Sequence, residues 1–359
     1  MRLPKLSPSA YRRITFGVTL AVAFIIVTGG AVRLTGSGLG CPDWPTCAGN
    51  RVVAPWSYHA MVEFVNRTIT GLVSVAVMLA VLGSLVRRPR RRDLTVLSTG
   101  LVAGVIGQIV LGGITVLFHL WPPLVMGHFL LSMAILADAV VLHHRAGLDD
   151  GPGDTPDGPS SGPMGRRPVV APGLVPMGRL VVASAGLVVF LGTVVTGAGP
   201  HGGDEKVARL PFLVPDVARL HGISVMLFLG LVLVTLWRLH REGAPPALLR
   251  RGEILLAVAV AQAGVGYVQY FTGVPVVLVG VHIAGATAVW AASLAFLLGF
   301  SAPVAPDAAG ADGDDQRRPA ILTGVTWVGG RQWRGVVDDA CRDDAGRGQR
   351  ARDRRGGRP

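Results

Sequence analysis

Long blocks of apolar residues, separated by shorter polar segments, dominate the hydrophobic pattern of this chain. Each block has about the length that crosses a ~30 Å hydrocarbon layer as an α-helix. Backbone polar groups in lipid must be satisfied within the segment, so the blocks predict helices. The predicted spans are Ile14–Val32, Thr68–Val86, Leu94–Leu117, Pro123–Leu142, Leu180–Gly199, His221–Leu236, Ile254–Val274 and Val276–Phe300. The sixth span is short, and we expect its first turn to come from Pro215–Leu220.

Composition and charge support an all-α membrane protein with eight transmembrane helices. Hydrophobic residues make up 50% of the chain and charged residues only 16%. The net charge of +12 would suit nucleic-acid binding, but its distribution argues otherwise. With the N-terminus assigned to the cytoplasm, most lysines and arginines before the C-terminal tail fall in inner segments. This pattern predicts a multi-pass cell-membrane protein with both termini cytoplasmic, anionic lipid as a partner and no nucleic acid.

A segment rich in Gly, Pro, Ser and Asp divides the predicted spans into two groups of four. Such a composition is typical of a flexible linker. The predicted organisation is a cytoplasmic N-terminus at 1–13, a first four-helix half at 14–144, a linker at 145–177, a second half at 178–300 and a disordered cytoplasmic tail at 301–359.

The two halves repeat in sequence at an offset of 154 residues. Gln108 is followed after twenty residues by His128, and Gln262 is followed after twenty residues by His282. Four spans per half is an even number, so both halves enter the membrane in the same orientation. The sequence therefore predicts two similar halves related by an axis along the membrane normal.

His128, His221 and His282 lie within apolar helices or at their outer starts. Ionisable side chains at such depth are costly and usually functional. A single histidine of this kind would suit a hydrogen-bonded packing role. Three histidines at equivalent levels instead favour a role as ligands of a metal or cofactor. Zinc or copper needs further ligands in one small cage. Two imidazoles on facing helices instead suit a planar macrocycle such as haem.

The first half carries the segment EFVNR where the second half has its first histidine. Glu63 in this segment fits either a favourable interaction with the helix N-terminus or a proton-handling, charge-stabilising role, and both readings stay open. His59, Glu63 and Asn66 follow i, i+4, i+7 spacing and share one helix face. Arg33, Arg67 and Arg219, near the outer rim, are placed to pair with haem propionates.

Two cysteines, Cys41 and Cys47, lie in the first outer loop, in CPDWPTC, and Cys341 lies alone in the tail. Outer-face cysteines meet an oxidising compartment, which favours a Cys41–Cys47 disulfide over two unpaired thiols. We expect no role for Cys341.

Several segments together resemble the haem A synthase family. They are GGAVRLTGSGLGCPDWPTC, HAMVEFVNR, GHFLLSM, LHG and VHIAG, and the resemblance covers about residues 14–300. It implies an eight-helix enzyme that oxidises the methyl group at carbon 8 of haem O to a formyl group, giving haem A for cytochrome oxidase. It also implies that the second half binds haem b through His221 and His282. The substrate haem then lies in the first half, with His128 and Glu63.

The chain departs from the family pattern at Asn66, where the resemblance leads us to expect a histidine. An amide is a poor iron ligand, so three alternatives arise. The substrate haem binds through His128 alone, or His59 moves in although it lies roughly 10 Å away along the helix, or the first half has lost activity. We favour the first, because an open iron face is compatible with oxidation chemistry.

The resemblance implies further partners and leaves rival functions. Haem O is the implied substrate, a haem O synthase and an electron donor are the implied partners, and a homo-oligomer stays open. A di-haem b cytochrome, transferring electrons from quinone to an outer acceptor, is the main alternative. A transporter built on a parallel repeat is the second, but the candidate polar residues at the midplane are few: Gln108, Gln262 and Asp138.

Overall fold

The structure, a computed structural model, describes residues 5–150 and 166–303. In this part of the chain, eight α-helices account for nearly all regular structure. They are α1 (Pro8–Leu34), α2 (Tyr58–Val86), α3 (Arg92–Leu117), α4 (Pro122–Ala146), α5 (Leu174–Ala198), α6 (Val214–Arg241), α7 (Pro246–Phe271) and α8 (Val276–Leu298). All eight are long and apolar enough to cross a membrane, so the predicted eight-helix fold is confirmed.

Most helices begin earlier than their apolar blocks, because polar residues at each end continue the helical backbone. Ser7 caps α1 by accepting a hydrogen bond from the backbone N–H of Ala10 at 3.2 Å, and a proline follows at the first helical position. The start of α6 at Val214 confirms that the sixth span gains turns before its histidine. By contrast, α7 ends earlier than predicted, at Phe271, and Val274 lies beyond the helix end with a φ of 61°.

Two three-residue strands, β1 (Arg166–Pro168) and β2 (Ser301–Pro303), pair antiparallel at the ends of the predicted linker and tail. Hydrophobic periodicity gives no signal for strands this short. Both ends of the predicted linker at 145–177 are also helical, because α4 continues to Ala146 and α5 begins at Leu174. The rest of the predicted linker and tail, including Cys341, lies outside the described residues.

The helices form two packed groups, α1–α4 and α5–α8, each with its own core of buried apolar side chains. Helix α8 contacts α1 and α4 of the first group as well as α5 of its own. Trp290 of α8 packs against both cores and donates a hydrogen bond from Nε1 to the Met133 carbonyl at 2.9 Å. The two halves therefore join along α8, as one compact unit within residues 5–303.

Arg33 ties the halves together at one end of the bundle, which carries loops 35–57 and 199–213 and is called the loop-rich end below. Its Nε donates to the His201 carbonyl at 2.7 Å, and its Nη2 donates to the Thr196 carbonyl at 2.8 Å. Nearby, the backbone N–H of Gly38 donates to the carbonyl of Gly203 at 2.9 Å. These contacts hold loops 35–57 and 199–213 against each other.

Replacing Gly252 by alanine tests the packing of α7 against α6 and α8. A Cβ atom there would lie 2.5 Å from Leu236 Cδ2 and 2.9 Å from Phe296 Cε2, so one helix has to move. We expect overpacking to lower the free energy of unfolding by roughly 1–3 kcal/mol, measured as a lower thermal midpoint in detergent. Gly264→Ala, in the same helix with open space around it, is the control and is expected to be neutral or slightly stabilising. Equal midpoints for the two variants would contradict this packing.

Candidate functional site

A cavity of about 1220 Å³ extends through both halves and is lined by residues of all eight helices. Small-molecule sites typically measure roughly 300–1,000 Å³, so this cavity has room for a ligand in each half. Most of its lining is apolar, and its charged residues lie toward the loop-rich end. They are Arg33, Glu63, Arg67 and Arg219.

In the second half, His221 of α6 and His282 of α8 face each other across the cavity. Their ring centroids lie 6.5 Å apart, with the ring planes at 72°. Two metal–nitrogen bonds of about 2.0 Å, plus roughly 1 Å from each nitrogen to its ring centre, give a separation of about 6 Å for imidazoles sharing one ion. The pair is therefore spaced as two axial ligands of one iron are. In the described part of the chain, no group of three His, Cys, Asp or Glu side chains forms a metal cage.

Each of the three cavity histidines lies against a glycine of a neighbouring helix. A Cβ atom on that glycine would crowd the Cε1 and Nδ1 edge of the ring. The pairs, with the distance from this Cβ position to Cε1, are Gly112 and His128 (3.2 Å), Gly192 and His221 (3.3 Å), and Gly266 and His282 (3.0 Å). The absence of a side chain lets each imidazole seat one edge against the adjacent helix, so Nε2 is the ring nitrogen left for a ligand in the cavity.

The seated Nδ1 atoms of His128 and His282 are buried and have no hydrogen-bond partner among the described residues. The His221 ring has a weak hydrogen bond with the backbone of Val188. Burying a polar group without a partner costs roughly 1–3 kcal/mol, so each such group needs an explanation. Imidazoles that make so few structural hydrogen bonds, with Nε2 toward an apolar cavity, fit ligation of a macrocyclic metal.

The internal repeat appears in the structure as the same contact in both halves. Gln108 Nε2 donates to the His128 carbonyl at 2.9 Å, and Gln262 Nε2 donates to the His282 carbonyl at 2.8 Å. In the first half the same amide also donates to Ser132 Oγ at 2.5 Å. These two glutamines tie the histidine helices to their neighbours, and they are not candidates for a transport path.

Opposite His128, the first half offers Asn66 of α2. Asn66 lies eight residues after the start of α2, and His221 lies seven residues after the start of α6, so the two occupy similar depths. Thr28 Oγ1 donates a hydrogen bond to Asn66 Oδ1 at 2.9 Å, and Asn66 lines the cavity. The two histidine-bearing sites therefore differ in kind: one has paired imidazoles, the other an imidazole and an amide.

The cavity face of α2 is also more polar than that of α6. Thr70 and Ser74 follow Asn66 at successive turns and line the cavity. Their hydroxyls donate to the carbonyls of Asn66 at 3.1 Å and Thr70 at 2.9 Å. By the spacing that matches Asn66 with His221, their counterparts in α6 are Val225, which lines the cavity, and Leu229, which does not. The first half thus has a polar stripe where the second half has an apolar one.

Glu63 and Arg67 form an ion pair that holds loop 35–57 over the cavity. Glu63 Oε2 accepts from the backbone N–H of Cys41 at 2.7 Å, and Oε1 accepts from Arg67 Nη2 at 2.6 Å. The Arg67 guanidinium also donates to the carbonyls of Cys41, Asp43 and Thr46, at 2.9–3.4 Å. The interpretation of Glu63 as a partner of the helix N-terminus is wrong, because the first turn of α2 contains no acidic residue and the carboxylate binds Cys41 and Arg67 instead. Its place at the edge of the cavity leaves the charge-stabilising role open.

The same loop contains the predicted disulfide between Cys41 and Cys47, which is confirmed. Both cysteines are buried, and their loop places Trp44 against α3. A Cβ atom at Gly113 would lie 2.5 Å from Trp44 Cδ2, so the indole lies directly on the helix backbone and closes part of the cavity.

The remaining predicted site residues are His59 and Arg219. His59 is exposed and does not line the cavity; its Nδ1 lies 3.0 Å from Ser37 Oγ. Arg219 lines the cavity rim and makes no hydrogen bond or ion pair with the described residues, which leaves its guanidinium for a ligand. Sequence reasoning missed Thr28 and Trp44, because only the packed helices bring them to the cavity.

Residues 12–200 of this chain match a protein family that is described as "Cytochrome oxidase assembly protein". Similar curated proteins are named "Heme A synthase". The one from Exiguobacterium sibiricum is 28% identical over 126 residues, 35% of this chain and 42% of that protein. The one from Shouchella clausii is 30% identical over 145 residues, 39% of this chain and 47% of that protein. The chain therefore matches less than half the length of these relatives.

Replacing Arg67 by glutamine tests its hold on the disulfide loop. The variant loses the charged hydrogen bonds to the loop carbonyls and to Glu63, each worth roughly 1.5–3 kcal/mol. We expect the loop to open more often and the Cys41–Cys47 bond to be reduced by a water-soluble phosphine at least about tenfold faster. The rate is measured by mass spectrometry of the alkylated thiols.

Arg219→Gln is the matched control for this experiment, because Arg219 lies at the same end of the cavity without touching the loop. Its reduction rate is expected to equal that of the unmodified chain. A rate that is unchanged in Arg67→Gln as well would mean that the disulfide is shielded by something other than this guanidinium.

Proposed function

The chain belongs to the family of cytochrome oxidase assembly proteins, and from this premise we propose that it is a membrane haem A synthase. In this proposal it oxidises the methyl group at carbon 8 of haem O to a formyl group by successive hydroxylation. The names of the similar curated proteins support the activity, and the difference between the two cavity sites supports it from the structure. Paired imidazoles suit a resident electron-transfer haem, whereas an imidazole facing an amide leaves an iron position free, as suits a haem that reacts.

The observation that carries the proposal is the pairing of His221 and His282 in one half against His128 and Asn66 in the other, within one cavity. The paired imidazoles fit haem b, which supplies one-electron transfer when bound. Their spacing and their glycine seats fix both rings before a ligand arrives, so little ordering is needed on binding.

In the first half, His128 would hold the substrate haem through Nε2, with Asn66 on the opposite face. An open face keeps one coordination position free, which bis-imidazole ligation would block. Arg219 at the rim is placed to pair with a propionate, because its guanidinium has no partner among the described residues. Arg67 also borders the cavity, but its donors are largely used by the loop.

Glu63 has the role of a charge-stabilising or proton-accepting group at the edge of the substrate site. Its carboxylate is held by Cys41 and Arg67, so it borders the cavity in a fixed position. A fixed negative group favours positive charge that develops on a bound substrate, and it costs no rearrangement during the reaction. The loop above it, with Trp44, limits access of water to this position.

The proposed setting is the cell membrane, with both termini in the cytoplasm and the haem sites toward the outer face. The distribution of arginines supports this orientation: Arg87, Arg88, Arg90, Arg91 and Arg92 lie at the end opposite the loop-rich one. Membrane lipid, a haem O synthase that supplies the substrate, and an electron donor are the proposed partners. A homo-oligomer is compatible with this arrangement.

Haem extraction tests the proposed function. The full chain is expressed with a haem O-producing farnesyl transferase, and the haems of the purified protein and membranes are extracted and separated by chromatography. We expect haem A and haem b in the extract. His128→Ala is expected to lose haem A and keep haem b, whereas His240→Ala, altered at a far helix end, is expected to give both. Haem b alone in the presence of haem O would identify a di-haem cytochrome instead.

Replacing Glu63 by glutamine separates its chemical role from its role in the loop. The amide keeps an oxygen for the Cys41 N–H, so the loop and haem b are expected to stay in place. Loss of the negative charge is expected to lower haem A formation by roughly a hundredfold. The control is Glu205→Gln, an exposed acid at the same end of the bundle. Normal haem A yield from Glu63→Gln would remove Glu63 from the reaction.

A further inference from the structure

We propose that Asn66, oriented by Thr28, donates a hydrogen bond from Nδ2 to a small diatomic ligand on the open face of the haem that His128 holds. The inference rests on the proposed function for the identity of that haem. It assigns to Asn66 a binding role for the second reactant of the site, in place of iron ligation.

The position of Asn66 follows from the internal repeat. The contacts that place His128 are those that place His282: a glutamine amide on the backbone carbonyl of each and a glycine against each ring. His282 faces His221 across 6.5 Å. Asn66 lines the same cavity from α2, eight residues after the start of that helix, and His221 lies seven residues after the start of α6. We therefore infer that the Asn66 side chain lies on the face of the first site that is opposite His128. An asparagine side chain is shorter than histidine, which leaves space for a small ligand between it and the iron.

The orientation of the amide follows from Thr28. Its hydroxyl donates to Asn66 Oδ1 at 2.9 Å, with the Ile25 carbonyl at 3.3 Å as a weaker second acceptor for the same hydrogen. The shorter bond engages the oxygen end of the amide with α1. Nδ2, at the other end, has no hydrogen-bond partner among the described residues, and Asn66 lines the cavity. An amide nitrogen donates and does not accept. The group therefore suits the partly negative outer atom of a diatomic ligand on reduced iron, or an anion on oxidised iron.

Nothing else on this face of the site competes for the iron. The described residues of α1 and α2 that line the cavity include no imidazole, thiolate or thioether. Glu63 is the one carboxylate among them, and both of its oxygens are engaged by Cys41 and Arg67. His59 lies outside the cavity. The face is therefore open to an added ligand while retaining a donor above it.

The polar stripe below Asn66 supports the same assignment. Thr70 and Ser74 donate their hydroxyl hydrogens to backbone carbonyls of α2, so their oxygen lone pairs remain for water in the cavity. Their apolar counterparts Val225 and Leu229 accompany the paired imidazoles of the other half. Hydroxyl side chains thus line the cavity from α2, whereas the cavity-lining residues of α6 include none.

Carbon monoxide and cyanide are the probes for this site, since they bind only an iron with a free face. The full chain is purified from cells that supply haem O, and the C–O stretch of the reduced protein is measured by infrared spectroscopy. Asn66→Leu has similar size without a donor, and the stretch is expected to move to higher wavenumber. Cyanide is expected to bind the oxidised variant about tenfold more weakly, as expected for the loss of a hydrogen bond to a charged ligand.

Two further variants and a control complete the test. Asn66→His is expected to close the face, giving a low-spin six-coordinate spectrum and loss of carbon monoxide binding. Thr28→Val is expected to shift the C–O stretch in the same direction as Asn66→Leu, because the amide loses its anchor. Thr68→Ala, on the same helix but exposed and outside the cavity, is expected to leave the stretch unchanged.

An unshifted stretch and unchanged cyanide affinity in Asn66→Leu would overturn the proposal, as would a failure of the unmodified protein to bind carbon monoxide. Haem A content is measured on the same preparations. A shifted stretch with no haem A would leave the donor role intact and reject the synthase function, and haem A with no shift would do the reverse.

Discussion

The cavity depends on close approaches between neighbouring helices, at each of which a glycine faces an imidazole. A side chain at Gly112, Gly192 or Gly266 would push the histidine ring toward the centre of the cavity or force the helices apart. In an environment where the backbone satisfies its own hydrogen bonds, such steric fits do the positioning that polar contacts do in water-soluble proteins. The ligand geometry is therefore set by the helix packing, and the packing is set by small residues.

On this common framework the two halves have diverged mainly at one helix face. The glutamine contacts to His128 and His282 are the same in both, but α2 carries Asn66 and hydroxyl residues where α6 carries His221 and aliphatic ones. A few substitutions on a repeated unit are sufficient to turn a closed, doubly ligated site into an open one. The Glu63–Arg67 pair and its disulfide loop add a cover to the open half.

Sequence reasoning predicted what depends on composition along one helix and missed what depends on contact between helices. The eight spans, the three deep histidines and the paired cysteines each carry a local signal, either long apolar runs or a rare residue type in an apolar context. The hydrogen bond from Thr28 to Asn66 joins α1 to α2 across 38 residues of sequence, and the contact of His221 with Gly192 joins α6 to α5. Neither contact leaves a periodic pattern along the chain. Most helices were predicted too short, because polar residues at the ends of the apolar blocks continue the helix. The strands β1 and β2 were missed because each is only three residues long.

Arg33 has a consequence for how such a protein can evolve. Its guanidinium belongs to the first half, whereas the carbonyls of Thr196 and His201 that it satisfies belong to the second. A gene split between α4 and α5 would yield two fragments, one with an uncompensated buried cation and the other with unpaired carbonyls. Once this contact was present, the ancestral duplication could no longer be reversed into separate subunits without cost. The contact therefore favours keeping both halves in one polypeptide.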